Sequence, residues 1–184
     1  MGSFLSRDQA TKRARETVTQ SLIDAIATND VERVSNIVYV EGPRLGLSVT
    51  GVIRIPGKKP PHQTTLLHIA CAYDAFSVVD AILHQAPQLV HAVDSKRRTA
   101  LHVAAVRSDI RCLRLLLIHG ADRTARAGRT GPTPIEMAIA VARHGHGSYE
   151  AARVLLTNDQ VRHRRRRRRP PSTRASAEQG GGGS

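Results

Sequence analysis

The stretch Thr99-Ala100-Leu101-His102-Val103-Ala104, followed by Cys112-Leu113, Leu116-Leu117 and Gly120-Ala121-Asp122, decides the fold. Its first six residues have an earlier copy in Thr65-Leu66-Leu67-His68-Ile69-Ala70 and a degraded later one in Thr133-Pro134-Ile135-Glu136-Met137-Ala138, each 34 residues away. A fixed period of that length marks a stack of repeats. Behind the earlier copy stand Val78, Val79, Ile82 and Leu83, and behind the central one Cys112, Leu113, Leu116 and Leu117; both runs have the spacing of one helix face. Gly120 just past such a run reads as a helix stop. Each unit is therefore helix, turn, helix, loop.

Two weaker units flank these. Leu22-Ile23-Asp24-Ala25-Ile26-Ala27, with Val31, Val34, Ile37 and Val38, keeps the paired apolar rows but lacks Thr and His, as a capping unit would. In the last unit Glu136 stands in place of the His, and Ala151, Ala152, Leu155 and Leu156 arrive five residues late. An insertion near Arg143-His144-Gly145-His146-Gly147-Ser148 widens that turn.

The pattern resembles the ankyrin repeat, whose marks are Thr-Pro-Leu-His-x-Ala, paired leucines and a closing Gly-Ala-Asp. The resemblance implies an all-α fold: an ankyrin-repeat helix-turn-helix solenoid with an extended inter-repeat loop or β-hairpin finger. Repeats are expected near residues 21–38, 64–94, 95–126 and 127–158, with an insertion at 39–63, between an N-terminal arm at 1–20 and a tail at 160–184. Thr65 and Thr99 are expected to cap free backbone N–H groups at the helix starts. His68 and His102 are read as structural groups bonded to the neighbouring loop, as in such folds.

The insertion carries Leu45-x-Leu47-x-Val49, then Thr50-Gly51, then Val52-Ile53-Arg54-Ile55. Alternating apolar residues on both sides of a small turn suggest a hairpin across Thr50-Gly51. It is read either as a partner-contacting finger or as a mobile insertion closed by Gly57-Lys58-Lys59-Pro60-Pro61.

Ankyrin proteins bind through loop tips and the inner face of the first helices. On this chain the resemblance carries that surface to Tyr73, Lys96, Arg97, Arg98, Val106, Arg107, Arg126 and Arg129. The cations among them fit one positive concave patch for an acidic peptide or protein surface, or else they are solvated loops.

The ends carry different signals. The chain starts Met1-Gly2-Ser3-Phe4-Leu5-Ser6-Arg7, which matches the N-myristoylation pattern at Gly2. Myristate alone holds a membrane marginally, so a second signal is needed. Arg162, Arg164, Arg165, Arg166, Arg167, Arg168 and Arg169 supply one toward an anionic membrane. The same run also suits nuclear import or phosphate contacts to nucleic acid. The tail is expected to be disordered, ending in Gly180-Gly181-Gly182-Gly183-Ser184.

Composition bounds what remains. The 184 residues carry 28 Lys+Arg against 15 Asp+Glu, a net charge of +13, and more than half of that excess lies in the tail. Five aromatic residues and no Trp leave a core of Leu, Ile, Val and Ala, which suits closely packed helices. Cys71 and Cys112 sit in apolar helical stretches, are too few for a disulfide scaffold and fit a reducing compartment. No metal site is expected: His144 and His146, with His163 nearby, lack a suitably spaced carboxylate. No catalytic constellation and no cofactor motif is present. The reading is a monomeric, non-catalytic interaction adaptor at the cytoplasmic face of a membrane, with a nuclear regulator as the alternative.

Overall fold

The computed structural model describes residues 2–45, 49–54, 63–145 and 149–157. Helix α1 (Gly2–Ala27) leads into α2 (Val31–Asn36), a π-helical turn (Ile37–Glu41) and the short α3 (Gly42–Leu45). Strands β1 (Val52–Arg54) and β2 (Gln63–Thr65) follow, then α4 (Leu66–Ala72), α5 (Phe76–Gln85) and a 3-10 turn (Pro87–His91). The chain continues through α6 (Ala100–Arg107), α7 (Ile110–Ile118) and α8 (Pro134–Arg143) to a last helix, α9, over 149–157. First helices α1, α4, α6 and α8 pack successively against one another, and second helices α2, α5 and α7 form a parallel row behind them. The result is an all-α solenoid with a small two-stranded ribbon.

Apolar periodicity explains the stacking. Leu22, Ile23, Ala25 and Ile26 turn inward from the end of α1, whereas residues 9–17 carry no such stripe and stand exposed as a projecting continuation of the same helix. Leu66, Leu67, Ala70, Leu101, Ala104, Leu113 and Leu116 form the centre of the core, with alanines letting the first helices approach closely. Cys71 and Cys112 are buried free thiols whose pKa values burial pushes up, so both are inert apolar side chains.

The tight turns joining α1 to α2, α4 to α5 and α6 to α7 pass through residues in the left-handed region: Asn29, Asp74 and Ser108, with φ of 55°, 57° and 59°. Asp30 and Asp109 then cap the second helices, accepting from Arg33 N at 2.9 Å and Arg111 N at 3.0 Å. The N-cap of helix α5 is Ala75, which has no side-chain acceptor. Asn29 of the preceding unit supplies one: its Oδ1 accepts from Ser77 N (3.0 Å) and Val78 N (3.2 Å), and its amide donates to Ser77 Oγ (3.0 Å). One repeat thus caps the next.

The ribbon differs from the expected hairpin. β1 pairs not with Leu45–Val49 but antiparallel with Gln63–Thr65, placing Ile53 opposite Thr64. Leu45 instead closes the helical run that began at Val31, and Leu47 and residues 55–62 lie outside the described residues. The physical reason is burial: pairing with the segment that enters α4 puts Ile53, 2 % exposed, into the core beside buried Thr64 and Thr65.

Candidate functional site

The loop edge of the stack is built by two Thr-x-x-His units. Thr65 Oγ1 donates to His68 Nδ1 at 2.7 Å, and His68 Nε2–H donates to the Arg98 carbonyl at 2.9 Å. His102 repeats this one unit later: Nδ1 accepts from Thr99 N (3.1 Å) and the Thr99 hydroxyl (2.8 Å), and Nε2–H donates to the Pro132 carbonyl (3.2 Å). A backbone N–H into one ring nitrogen and a carbonyl on the other fix the neutral tautomer. Burial lowers the pKa of both rings and holds them uncharged. The expectation that Thr65 caps backbone N–H groups is corrected: its hydroxyl is spent on the ring, and no side-chain cap bond forms. In the last repeat Glu136 keeps the local half of the device. Its carboxylate accepts from Thr133 N at 2.7 Å, its own N–H donates to Thr133 Oγ1 at 3.4 Å, and the first of these bonds draws its pKa down.

His68 thereby positions the turn 94–98, and His102 the loop before α8. Val93 and Thr99 pair as an antiparallel bridge, and Asp94 N donates to Arg98 O. Asp94 Oδ1 accepts from Lys96 N and Arg98 N, both at 2.9 Å, while Oδ2 receives the Arg98 guanidinium at 2.9 Å and 2.7 Å. Burial pushes the Asp94 carboxyl up, but the Arg98 hydrogen bonds and charge hold it below the usual carboxylate value. Arg97 takes a left-handed conformation (φ 60°) at the turn's tip. Ser95 N donates to Gln63 O, joining the β1–β2 ribbon to this edge.

The expected single basic patch is divided. Lys96 and Arg98 line a groove of ≈ 360 Å³ with Tyr73, His68 and Val103. Arg97, Arg126 and Arg129 line a second cleft of ≈ 480 Å³ with Val93 and Gly128. Arg107 joins neither: its guanidinium donates to Asp74 Oδ2 at 2.8 Å, and that bond raises its pKa. Arg98 and Arg107 are therefore neutralised within the fold. Arg126 bonds Gly131 O at 3.2 Å and stands 3.9 Å from Glu136. Among the described residues, Lys96, Arg97 and Arg129 have no carboxylate partner. Tyr73 and Val106 are exposed on the first-helix face.

Gly120 (φ 90°) ends α7 in the left-handed region that glycine adopts without strain. Gly2 is the first residue of α1, while Arg162 and Arg164–Arg169 lie outside the described residues. His144 ends α8 in an exposed position, and His146 and His163 also lie outside the described residues. The sequence reading missed Asp94 and Asn29, the two side chains that organise the turns. Asp94 stands five residues before Thr99, and Asn29 immediately precedes the N-cap Asp30; that spacing was the available signal.

The family model for ankyrin repeats in three copies matches residues 22–127 and, in an overlapping alignment, 67–166. The chain belongs to the ankyrin-repeat family. Ankyrin repeats generally serve as non-catalytic protein-interaction frameworks, so the loop edge and first-helix face form the candidate interaction surface.

Proposed function

We propose that this ankyrin-repeat protein is a non-catalytic adaptor whose loop edge receives an acidic segment of a partner protein. The observation that carries the reading is the cleft where Arg97, Arg126 and Arg129 converge beside Val93. Glu136 stands 3.9 Å from Arg126, but Arg97 and Arg129 have no carboxylate partner among the described residues, so the cleft keeps a positive excess that an acidic ligand relieves while accelerating encounter. Tyr73 in the adjoining groove offers an apolar body with a polar tip for anchoring. Myristate on Gly2, with the exposed Lys12, Arg13 and Arg15 of α1 and the arginines 162 and 164–169, would hold the adaptor at the cytoplasmic face of an anionic membrane.

The test of the cleft is anisotropy titration of a Glu/Asp-rich peptide against the full chain, an Arg97→Glu/Arg129→Glu variant, and a variant with serines at 164–169. At least tenfold weaker binding in the loop variant, with binding retained in the tail variant, supports the reading. Equal binding in the loop variant, with loss in the tail variant, overturns it. The anchor is tested by alkyne-myristate labelling and fractionation of cells expressing the protein and Gly2→Ala. Label with membrane pelleting that Gly2→Ala abolishes supports tethering. Unlabelled protein in the nucleus, lost from it on replacing Arg164–Arg169, turns the tail into an import signal and the adaptor into a nuclear regulator.

A further inference from the structure

Away from the loop edge, three side chains gather where the second helices of adjacent repeats meet. Asp80 and His84 stand one helical turn apart on α5, and His119 ends α7. Their potential ligand atoms all lie within 4.8 Å of one another. The His84 and His119 rings meet edge to face, with centroids 5.6 Å apart and planes at 73°. His84 Nδ1 lies 2.9 Å from the Asp80 carbonyl and 3.3 Å from Asp80 Oδ1. Donation of Nδ1–H to that backbone carbonyl places the ring's lone pair on Nε2. This is the arrangement that orients a histidine for metal ligation.

The repeat framework does not account for the cluster. One repeat later the equivalents of Asp80 and His84 are Arg114 and Ile118, so neither residue is demanded by the fold. None of the three lines the groove or the arginine cleft. The guanidinium of Arg111 is stacked over Phe76 at 5.4 Å, at the opposite ends of these two helices from the cluster.

We propose that Asp80, His84 and His119 bind one divalent transition-metal ion, zinc by ligand type, which clips α5 to α7. Two imidazoles and a carboxylate supply three positions of a tetrahedral zinc site, and water completes the fourth. Metal–ligand distances of about 2.0–2.2 Å bring such ligand atoms to roughly 3.3 Å from one another. The present separations, all within 4.8 Å, must close to that value, and the His84 side chain, 68 % exposed, has room to turn. The clip adds to the interface between the second and third repeats, and an ion that binds only the folded chain stabilises it in proportion to its concentration.

Isothermal titration of the untagged full chain with zinc chloride, followed by thermal unfolding with and without zinc, tests the site. The expected result is one ion per chain and a melting temperature that rises with zinc. His84→Ala, His119→Ala and Asp80→Asn should each weaken binding by about tenfold or more and reduce the thermal shift, since even outer-shell changes at metal sites cost about 10–100-fold. A His144→Ala/His146→Ala variant should bind as the parent does. Absence of saturable binding, unchanged affinity in any of the three ligand variants, or loss in the His144→Ala/His146→Ala variant overturns the proposal.

Discussion

Replacing His102 by alanine removes the side chain that ties α6 to the loop before α8. The ring is fully buried, at 0 % exposure, and takes part in three hydrogen bonds. Thr99 is itself buried, so its N–H loses its acceptor at a cost of about 1–3 kcal/mol. The Pro132 carbonyl keeps its bond from Ala127 N at 3.1 Å, which limits that loss to about 0.5–1.5 kcal/mol. With the void left by the imidazole, the destabilisation is about 3 kcal/mol. In urea unfolding followed by far-ultraviolet circular dichroism, an m-value of about 2 kcal/mol/M turns this into a midpoint about 1.5 M lower.

The same ring links stability to pH. The unfolded chain protonates each histidine near pH 6.5, whereas burial lowers the folded-state pKa of His68 and His102. Below 6.5, and down to the folded values, the unfolded chain holds more protons. Stability is therefore complete above that window and falls on acidification through it, by at most about 1.4 kcal/mol per pH unit for each ring. Midpoints at pH 7.5 and 5.5 should differ less in His102→Ala than in the parent. His102→Gln, which keeps an acceptor for Thr99 N–H, should regain part of the stability but not the pH dependence. A His102→Ala midpoint equal to the parent's, or an unaltered pH dependence, would refute the bridging role.

Leu101→Ala and Leu116→Ala, each at 0 % exposure, should lose about 2–5 kcal/mol in the same denaturation assay, enough to unfold a modest stack. Asn29→Ala removes the acceptor for the start of α5 and should lower stability by about 1 kcal/mol, read as a shift in urea midpoint; no shift would leave Asn29 without a capping role. Arg98→Ala should cost about 2 kcal/mol by unpairing buried Asp94, whereas Arg97→Ala should leave the midpoint within about 0.5 kcal/mol and weaken acidic-peptide binding.

The repeat stack was legible because its signals are local. Thr-x-x-His, the paired apolar rows and Gly120 each carry structure within a dozen residues, and their 34-residue recurrence supplies the tertiary arrangement. The β1–β2 pairing was not legible, because alternation at Leu45, Leu47 and Val49 describes half-buried strand residues without naming their partner. The contest was decided by tertiary burial of Ile53 beside Thr64, a long-range term that no window around Thr50-Gly51 contains. The α5 cap was hidden for the same reason: Asn29 lies 48 residues before Ser77 in sequence.

The candidate interaction surface shows how far charge alone misleads. Lys96, Arg97 and Arg98 are three consecutive cations, and as a sequence they read as one basic tip. Asp94 breaks that equivalence by drawing Lys96 N and Arg98 N onto one carboxylate oxygen and the Arg98 guanidinium onto the other. With the backbone N–H groups of Lys96 and Arg98 bound to Asp94, the chain reverses through a left-handed Arg97, whose side chain joins Arg126 and Arg129. Arg107 is withdrawn by Asp74 from the preceding repeat, another pairing across 33 residues. The cations left without an acid among the described residues of this edge are Lys96, Arg97 and Arg129, while Arg126 keeps Glu136 at 3.9 Å. In this chain the positions of Asp94 and Asp74, more than the tally of arginines, set which cations of the loop edge stay unpaired.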